Sequence, residues 1–236
     1  MNESSPSSAG TFDAIAANYD AELQRGLSVS GESKEYFAEG RVKWLSRQLA
    51  RLRHTPSRIL DFGCGTGSAT PYLLKINGAS HLLGVDVSEA SIEVAQREHG
   101  SGKASFQPLQ SHQPAAEFDL AFCNGVFHHI RLDQRAGSVD HIFRSLRPGG
   151  LFALWENNPL NPGTRIVMSR CSFDRDAITL RSGEARRLLR GGGFQIVRTD
   201  FLFIFPRFLR AFRPIEPLVS RLPVGAQYMV LGRKPL

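Results

Sequence analysis

The chain has 236 residues, enough for one large domain, and its 42% hydrophobic and 22% charged residues are ordinary for a globular protein. Three widely spaced cysteines, Cys64, Cys123 and Cys171, exclude a disulfide framework and favour a reducing, cytoplasmic setting. No apolar run approaches the roughly 18 residues that a membrane-spanning helix needs, and the polar stretch MNESSPSSAG, residues 1–10, is expected to be a disordered leader.

The charge is distributed unevenly along the chain. The formal net charge is +7, but the segment from Leu160 onward has 14 basic and 5 acidic residues, against 15 basic and 17 acidic residues before it. Positive potential on the C-terminal third would attract an anionic substrate, an acidic membrane surface or nucleic acid. The alternative is a general bias of the sequence toward arginine over lysine, which would produce the same excess of basic residues without a binding role. Because no nucleic-acid-binding module is recognised, we expect no nucleic-acid partner.

Helices and strands alternate along most of the chain, which favours an α/β fold with a mostly parallel sheet. We expect residues 11–236 to form one domain, with a helical lid over residues 11–54 and substrate-side insertions near 157–182 and 206–224. The predicted helices are Thr11–Gly26, Ser33–Leu52, Thr66–Lys75, Glu89–Arg97, Leu132–Leu146 and Ser182–Arg190. The predicted strands are Ser57–Phe62, His81–Asp86, Ala104–Phe106, Phe118–Cys123, Gly150–Glu156, Phe194–Phe205 and Ala226–Arg233.

The stretch ILDFGCGTGSAT, residues 59–70, predicts a buried strand, a glycine-rich turn and the start of a helix. In doubly wound α/β folds this arrangement binds nucleotide-like ligands. The glycines follow the spacing G-x-G-x-G, whereas a dinucleotide-binding turn needs G-x-G-x-x-G. Asp61, just before the turn, would repel a pyrophosphate and suits a ligand with a cationic amine. An NAD-dependent oxidoreductase is therefore a distant alternative.

A second acidic residue ends the next predicted strand. Asp86 follows the apolar run from Leu82 to Val85, about 20 residues beyond the glycine-rich turn, where the ribose diol is held in such folds. Val87 would then lie flat against an adenine ring. Ser88 would cap the helix that begins at Glu89.

Several motifs, in this order along the chain, resemble those of class I S-adenosylmethionine (SAM)-dependent methyltransferases. DFGCGTG, residues 61–67, matches the first motif D-x-G-x-G-x-G, and FDLAFCNGVFHH, residues 118–129, resembles the fourth-strand motif FDLVxxxxVLHH. RPGG, residues 147–150, is the turn before the fifth strand. The resemblance implies a Rossmann-like sheet of seven strands with the last antiparallel, and SAM as the cofactor with S-adenosylhomocysteine as its product. SGESKEYFAEGR, WENNPLNPGTR and LPVGAQYMVLGRKP are similar to a bacterial small-molecule subgroup of the methyltransferase type 11/12 kind.

The resemblance also implies which residues contact the cofactor. Asp61 would orient the methionine amine, and Tyr19, with Arg41 as a further candidate, would meet the methionine carboxylate. Gln110, with Ser111 beside it, would bind the adenine amino group. The full set of implied cofactor residues is Tyr19, Arg41, Asp61, Gly63, Cys64, Gly65, Asp86, Val87, Gln110, Ser111 and Asn124.

Methyl transfer from a sulfonium is an in-line displacement, in which alignment supplies much of the rate. A proton must also leave many acceptors. His128 is the candidate general base because histidine titrates near neutral pH, and His129 is the weaker candidate. The subgroup pattern is F-E-H-N-P-x-N-P. Glu156 matches the glutamate of this pattern and is a substrate-side candidate, whereas Asn157 occupies the position of the histidine. No cluster of acids and histidines with metal-ligand spacing is evident, so we expect no metal.

The run FLFIFPRFLRAFRPIEPL, residues 201–218, has three interpretations. Alternating Phe201, Phe203 and Phe205 predict a strand, and Phe208, Leu209 and Phe212 would share one helical face beyond it. This face would pack in the core, line an apolar acceptor pocket or rest in a membrane interface.

The predicted function is transfer of a methyl group from SAM to a small organic, lipophilic acceptor. One alternative is a lipid or lipid-linked sugar methyltransferase in peripheral contact with a membrane. The other is a SAM-binding regulator without turnover, which the replacement of the subgroup histidine by Asn157 permits.

Overall fold

The computed structural model describes residues 26–27, 30–171, 174 and 177–236 of the chain. The predicted leader, residues 1–10, and all but the last residue of the predicted helix Thr11–Gly26 lie outside the described residues. At the centre is a seven-stranded sheet in the order β3-β2-β1-β4-β5-β7-β6. The strands are β1 Arg58–Phe62, β2 His81–Asp86, β3 Ala104–Pro108, β4 Phe118–Asn124, β5 Leu146–Asn157, β6 Gln195–Leu202 and β7 Gln227–Arg233.

The pairing of the strands confirms the predicted α/β fold. Strands β1 to β5 are paired in parallel, and β7 runs antiparallel to both of its neighbours, β5 and β6. The helices are α1 Lys34–Arg51, α2 Thr70–Leu73, α3 Glu89–His99, α4 Arg135–Ser145, α5 Pro162–Ser169, α6 Ser182–Gly191 and α7 Glu216–Val219, with 3₁₀ helices at Leu109–Ser111 and Arg207–Ile215. None of the helices in the described ranges is long and apolar enough to cross a bilayer.

Two apolar layers cover the sheet because side chains alternate between its faces. In β4, Leu120 packs with residues of α1 and α3, whereas Ala121 packs with residues of α4 and α6. Helix α1 buries Trp44 and Leu45 in the first of these layers. Residues 34–51 of the predicted lid therefore pack in this layer.

Backbone conformation explains where the predicted elements were wrong. The helix predicted from Thr66 begins only at Thr70, because Gly67 has a φ of +78°, which no α-helix accommodates. The strand predicted to reach Phe205 ends at Leu202, because Phe203 adopts a φ of +60°. The cap predicted for the helix after β2 is confirmed: the Ser88 hydroxyl accepts a hydrogen bond from the Ser91 amide.

The chain reversals after β1, β2, β4 and β5 lie at one edge of the sheet, the edge where parallel strands end. The segment from 203 to 226 lies at the same edge, because Leu202 at the end of β6 and Asn157 at the end of β5 both pair with Gln227. Ligands of open α/β sheets bind outside the carboxyl ends of the strands. The topology therefore brings both predicted insertions to the edge where a ligand is expected.

Candidate functional site

A cavity of about 550 Å³ opens at the carboxyl ends of β1, β2 and β4. This volume is within the range that small-molecule sites occupy. The residues lining it are Arg41, Asp61, Phe62, Gly63, Cys64, Gly65, Thr66, Ser68, Ala69, Asp86, Val87, Ser91, Leu109, Phe122, Asn124, Gly125, Val126, His129, Ile130, Gln134, Gly137, Ser138 and His141. Most of the residues predicted to bind the cofactor are therefore brought together here.

The glycine-rich loop is tied across the ends of the first two strands. The amides of Gly63 and Cys64 donate to the Val85 carbonyl, at 2.8 and 3.1 Å. Gly63 has a φ of +72°, and a Cβ built on it would lie 2.3 Å from Cγ2 of Val126, so a larger residue would not fit. The loop leaves its main chain open toward the cavity.

The Asp86 carboxylate fixes the same loop to the end of β2. Its Oδ2 accepts from the Gly65 amide at 2.8 Å, and its Oδ1 accepts from the Ser88 amide at 3.0 Å. Asp86 therefore presents an oriented negative charge at the cavity wall, next to half-exposed Val87.

Two buried acceptor oxygens lie in the cavity wall. Asp61 Oδ2 and Asn124 Oδ1 have no hydrogen-bond partner among the described residues, and an unsatisfied buried acceptor is costly. Burial, together with the negative charge of Asp86, raises the pKa of the Asp61 carboxyl to about 7, although Arg41 opposes the shift. A ligand that brings a cationic N–H donor would satisfy both oxygens, so these residues fit the ammonium group of SAM.

Arg41 reaches the cavity from α1 through a polar chain. Its Nη1 donates to Gln227 Oε1 at 2.9 Å, and Gln227 Nε2 donates to Asn157 Oδ1 at 3.2 Å. Asn157, at the position of the subgroup histidine, does not line the cavity. It orients Gln227 and, through it, the guanidinium of Arg41.

Two predicted cofactor residues, Gln110 and Ser111, do not line the cavity. The 3₁₀ helix Leu109–Ser111 turns Leu109 toward the cavity, while Gln110 and Ser111 are exposed. Gln110 donates to Glu89 Oε1 at 3.2 Å, so the predicted contact of Gln110 or Ser111 with adenine does not fit this geometry. Tyr19 lies outside the described residues.

His128 does not fit its predicted role as general base. It is buried away from the cavity lining, with Nδ1 2.6 Å from Glu156 Oε2 and Nε2 3.3 Å from Asp174 Oδ1. Burial alone would lower its pKa, but the two carboxylates outweigh burial and raise the pKa to about 10. An imidazolium with a carboxylate oxygen near each ring nitrogen has no lone pair with which to accept a proton.

Glu156 likewise does not line the cavity. Its Oε1 accepts from the Phe127 amide at 2.7 Å, and its other oxygen bonds to His128. Burial would raise the pKa of Glu156, but the positive charge of His128 and these hydrogen bonds outweigh it, so the pKa lies below its ordinary value. Glu156 therefore shapes the loop after β4 through these two hydrogen bonds.

His129, unlike His128, lines the cavity, as does His141. The Nε2 of His129 lies 3.4 Å from Asp174 Oδ1. Burial and the neighbouring positive charge of His128 lower its pKa to about 4. His129 is therefore a neutral imidazole at physiological pH.

Within the described residues, one group of side chains has the spacing of metal ligands. His128, His129 and Asp174 each offer one ligand atom, and these atoms lie within 4.8 Å of one another. Metal binding needs a neutral imidazole, and His128 is protonated between its carboxylates, so the expectation that no metal is held stays a prediction. This group could not be recognised from the sequence because Asp174 belongs to the segment after α5, far along the chain from the two histidines.

Sequence reasoning also missed much of the cavity wall. These residues lie in the 3₁₀ turn after β3, in the loop after β4 and on the first turns of α4; they are Leu109, Val126, Ile130, Gln134, Gly137, Ser138 and His141. Their position beyond the carboxyl ends of β3 and β4 is the signal that could have identified them.

Comparison with known proteins identifies the family. A family model described as a methyltransferase domain matches residues 60–152. An uncharacterized methyltransferase of Synechocystis sp. is 32% identical over 151 residues, which cover 60% of this chain and 68% of that protein. The chain belongs to the class I SAM-dependent methyltransferases. SAM is accordingly the cofactor of this methyltransferase.

Two further comparisons agree with this assignment. Trans-aconitate 2-methyltransferase of Methylobacterium nodulans is 30% identical to the methyltransferase over 135 residues, which cover 57% of the chain and 52% of that protein. The chain thus spans about half the length of the trans-aconitate methyltransferases it matches. The crystal structure of magnesium protoporphyrin IX methyltransferase from Synechocystis with bound SAM has the same fold, with a TM-score of 0.62, 16% identity, and coverage of 99% of this chain and 100% of that chain.

Proposed function

We propose that the methyltransferase transfers the methyl group of SAM to a small organic, lipophilic acceptor. The observation that carries the proposal is a single cavity whose lining combines polar and apolar groups. It contains the oxygens of Asp61 and Asn124, which have no hydrogen-bond partner among the described residues, and also the apolar side chains of Val126 and Ile130 and the imidazole of His129. The similarity to trans-aconitate 2-methyltransferase supports an organic acceptor of small size.

The charged and polar residues of the cavity lining indicate where each group of SAM would bind. Asp61 and Asn124 accept hydrogen bonds from the ammonium group, and Arg41 neutralises the methionine carboxylate. Asp86, oriented by the Gly65 and Ser88 amides, accepts from the ribose hydroxyls. When bound, SAM supplies an electrophilic methyl group on a sulfonium sulfur.

The acceptor half of the cavity contains His129. Its imidazole is neutral, so it accepts a hydrogen bond or a proton from the acceptor. A pKa of about 4 makes His129 a weak base; alignment of the acceptor with the methyl group supplies more of the rate than proton removal does. The ion pair of His128 with Glu156 keeps the loop that carries His129 in place.

A methyl-transfer assay tests this function. The protein is incubated with deuteromethyl-labelled SAM and a bacterial cell extract, and mass spectrometry identifies small molecules that gain the label. We expect labelled product from the natural chain, and about a hundredfold lower turnover from His129→Ala with unchanged SAM affinity.

Two outcomes would contradict the proposal. A protein that binds SAM but labels no extract component would be a regulator without turnover. Turnover that is unchanged in His129→Ala but reduced in His128→Ala, with folding intact, would return the catalytic role to His128.

A further inference from the structure

Apolar side chains and arginines share an exposed surface on the segment between β6 and β7. We define this surface, the docking surface, by Arg207, Phe208, Arg210, Phe212 and Leu218. The side chains of Phe208 and Leu218 are 80% and 83% exposed, and Phe212 is 53% exposed. Isolated exposed apolar residues are common in proteins, but such a group on one short segment marks an interaction site.

The segment is anchored to the core and is not a loosely attached loop. Arg213 Nη2 donates to Glu32 Oε1 at 2.8 Å, and its guanidinium lies over the ring of Tyr36 at 4.7 Å. Glu216 accepts from the Ile204 amide at 2.6 Å. The anchoring residues face inward, and the apolar residues of the same turns consequently face outward.

The exposed charge of this segment has one sign. From Arg207 to Val224, every exposed charged side chain is an arginine, namely Arg207, Arg210 and Arg221, while the one acidic residue, Glu216, is half-buried. Apolar side chains flanked by basic ones are the pattern of an element that rests on an anionic bilayer. Self-association through this face would instead bring like charges together, which is unfavourable.

We propose that the docking surface binds the methyltransferase to an anionic lipid bilayer. Phe208, Phe212 and Leu218 enter the interface, and the arginines contact lipid phosphates. The segment joins β7 at Gln227, which holds Arg41 at the cavity, so the docked protein would present its ligand-binding edge toward the lipid. Lipophilic acceptors dissolved in the membrane would then reach the cavity without crossing water.

Vesicle sedimentation tests the proposal without any need for methyl transfer. The full chain is mixed with phosphatidylserine–phosphatidylcholine vesicles or with pure phosphatidylcholine vesicles. We expect strong binding to the anionic vesicles, weakened by salt. The variant Phe208→Ser/Leu218→Ser should lower the partition coefficient by a factor of about 30 or more, and Arg207→Gln/Arg210→Gln by about tenfold.

Matched controls separate docking from folding and from general charge. Leu236→Ser removes an exposed leucine beside Gly149, at the opposite edge of the sheet, and Arg187→Gln/Arg190→Gln removes two charges from α6 on the other face of the sheet. Both controls should bind vesicles as the natural chain does, and all variants should retain SAM affinity.

Three results would overturn the proposal. The first is binding to anionic vesicles no stronger than to neutral ones, and the second is an equal loss of binding in the control variants. The third is a dimer, seen by light scattering, that Phe208→Ser/Leu218→Ser dissolves, because a second copy would then cover the surface.

Discussion

Replacing Asp61 with asparagine should weaken SAM binding about thirtyfold at pH 8. Asp61 and Asn124 are the two acceptors proposed to meet the ammonium group of the ligand, and only Asp61 carries a negative charge. The replacement should also remove a dependence on pH. The pKa of Asp61 is about 7 without ligand, and a bound cation favours the ionised carboxylate. SAM affinity of the natural chain should therefore fall about tenfold from pH 8 to pH 6, whereas that of Asp61→Asn should stay flat. Calorimetric titration across this range measures both effects.

Asp119 provides a matched control for this experiment. It accepts hydrogen bonds from the Ser57 and Arg58 amides, at 3.0 and 2.8 Å, but it lies at the opposite edge of the sheet. Asp119→Asn should leave SAM affinity and its pH dependence unchanged. Methylthioadenosine, which lacks the ammonium group, should bind the natural chain with little dependence on pH. A similar pH dependence for this nucleoside would show that Asp61 does not contact the amine.

Glu156→Gln should lower the free energy of unfolding by about 3 kcal/mol or more, because it leaves the buried charge of His128 without its closest partner. Glu117→Gln breaks a half-exposed ion pair with Arg58 and should cost less than about 1 kcal/mol. Urea unfolding of both variants at pH 6 compares the two ion pairs directly. Equal costs would show that the Glu156–His128 contact does not hold the loop after β4.

The same ion pair predicts how stability depends on pH. The folded-state pKa of His128 is raised from 6.5 to about 10, so its stabilising contribution is complete below pH 6.5 and is lost as pH rises toward 10. The natural chain should lose up to about 1.4 kcal/mol per pH unit in that window, before other groups are considered. Glu156→Gln should show a clearly shallower slope, and an unchanged slope would contradict the assignment of the charge to His128.

The parts of the fold that could be predicted from the sequence are those encoded locally. Strand β2, His81–Asp86, has the predicted bounds because an apolar run ends in an acid and a helix cap follows it. The place of Asp61 and Asp86 in one cavity follows from the parallel pairing of two such strands. Cofactor identity could be inferred for the same reason, since it depends on a short motif in one stretch of chain.

The rest depends on contacts between distant segments. Which of His128 and His129 faces the cavity is decided by Glu156 from β5 and Asp174 from the segment after α5, and no local pattern links them. The helical face with Phe208 and Phe212 was predicted as an amphipathic element, but periodicity alone cannot say whether its apolar side chains meet the core or solvent. Gln110 is turned outward by the 3₁₀ helix Leu109–Ser111, which is too short to be predicted from a sequence pattern.

A crystal structure of the protein with S-adenosylhomocysteine tests most directly whether the carboxylates at the ends of β1 and β2 hold the cofactor. We expect the ribose hydroxyls on Asp86 and the amino group on Asp61 and Asn124. Adenosine bound away from the glycine-rich loop, or an Asp86 carboxylate turned from the sugar, would contradict the assignment.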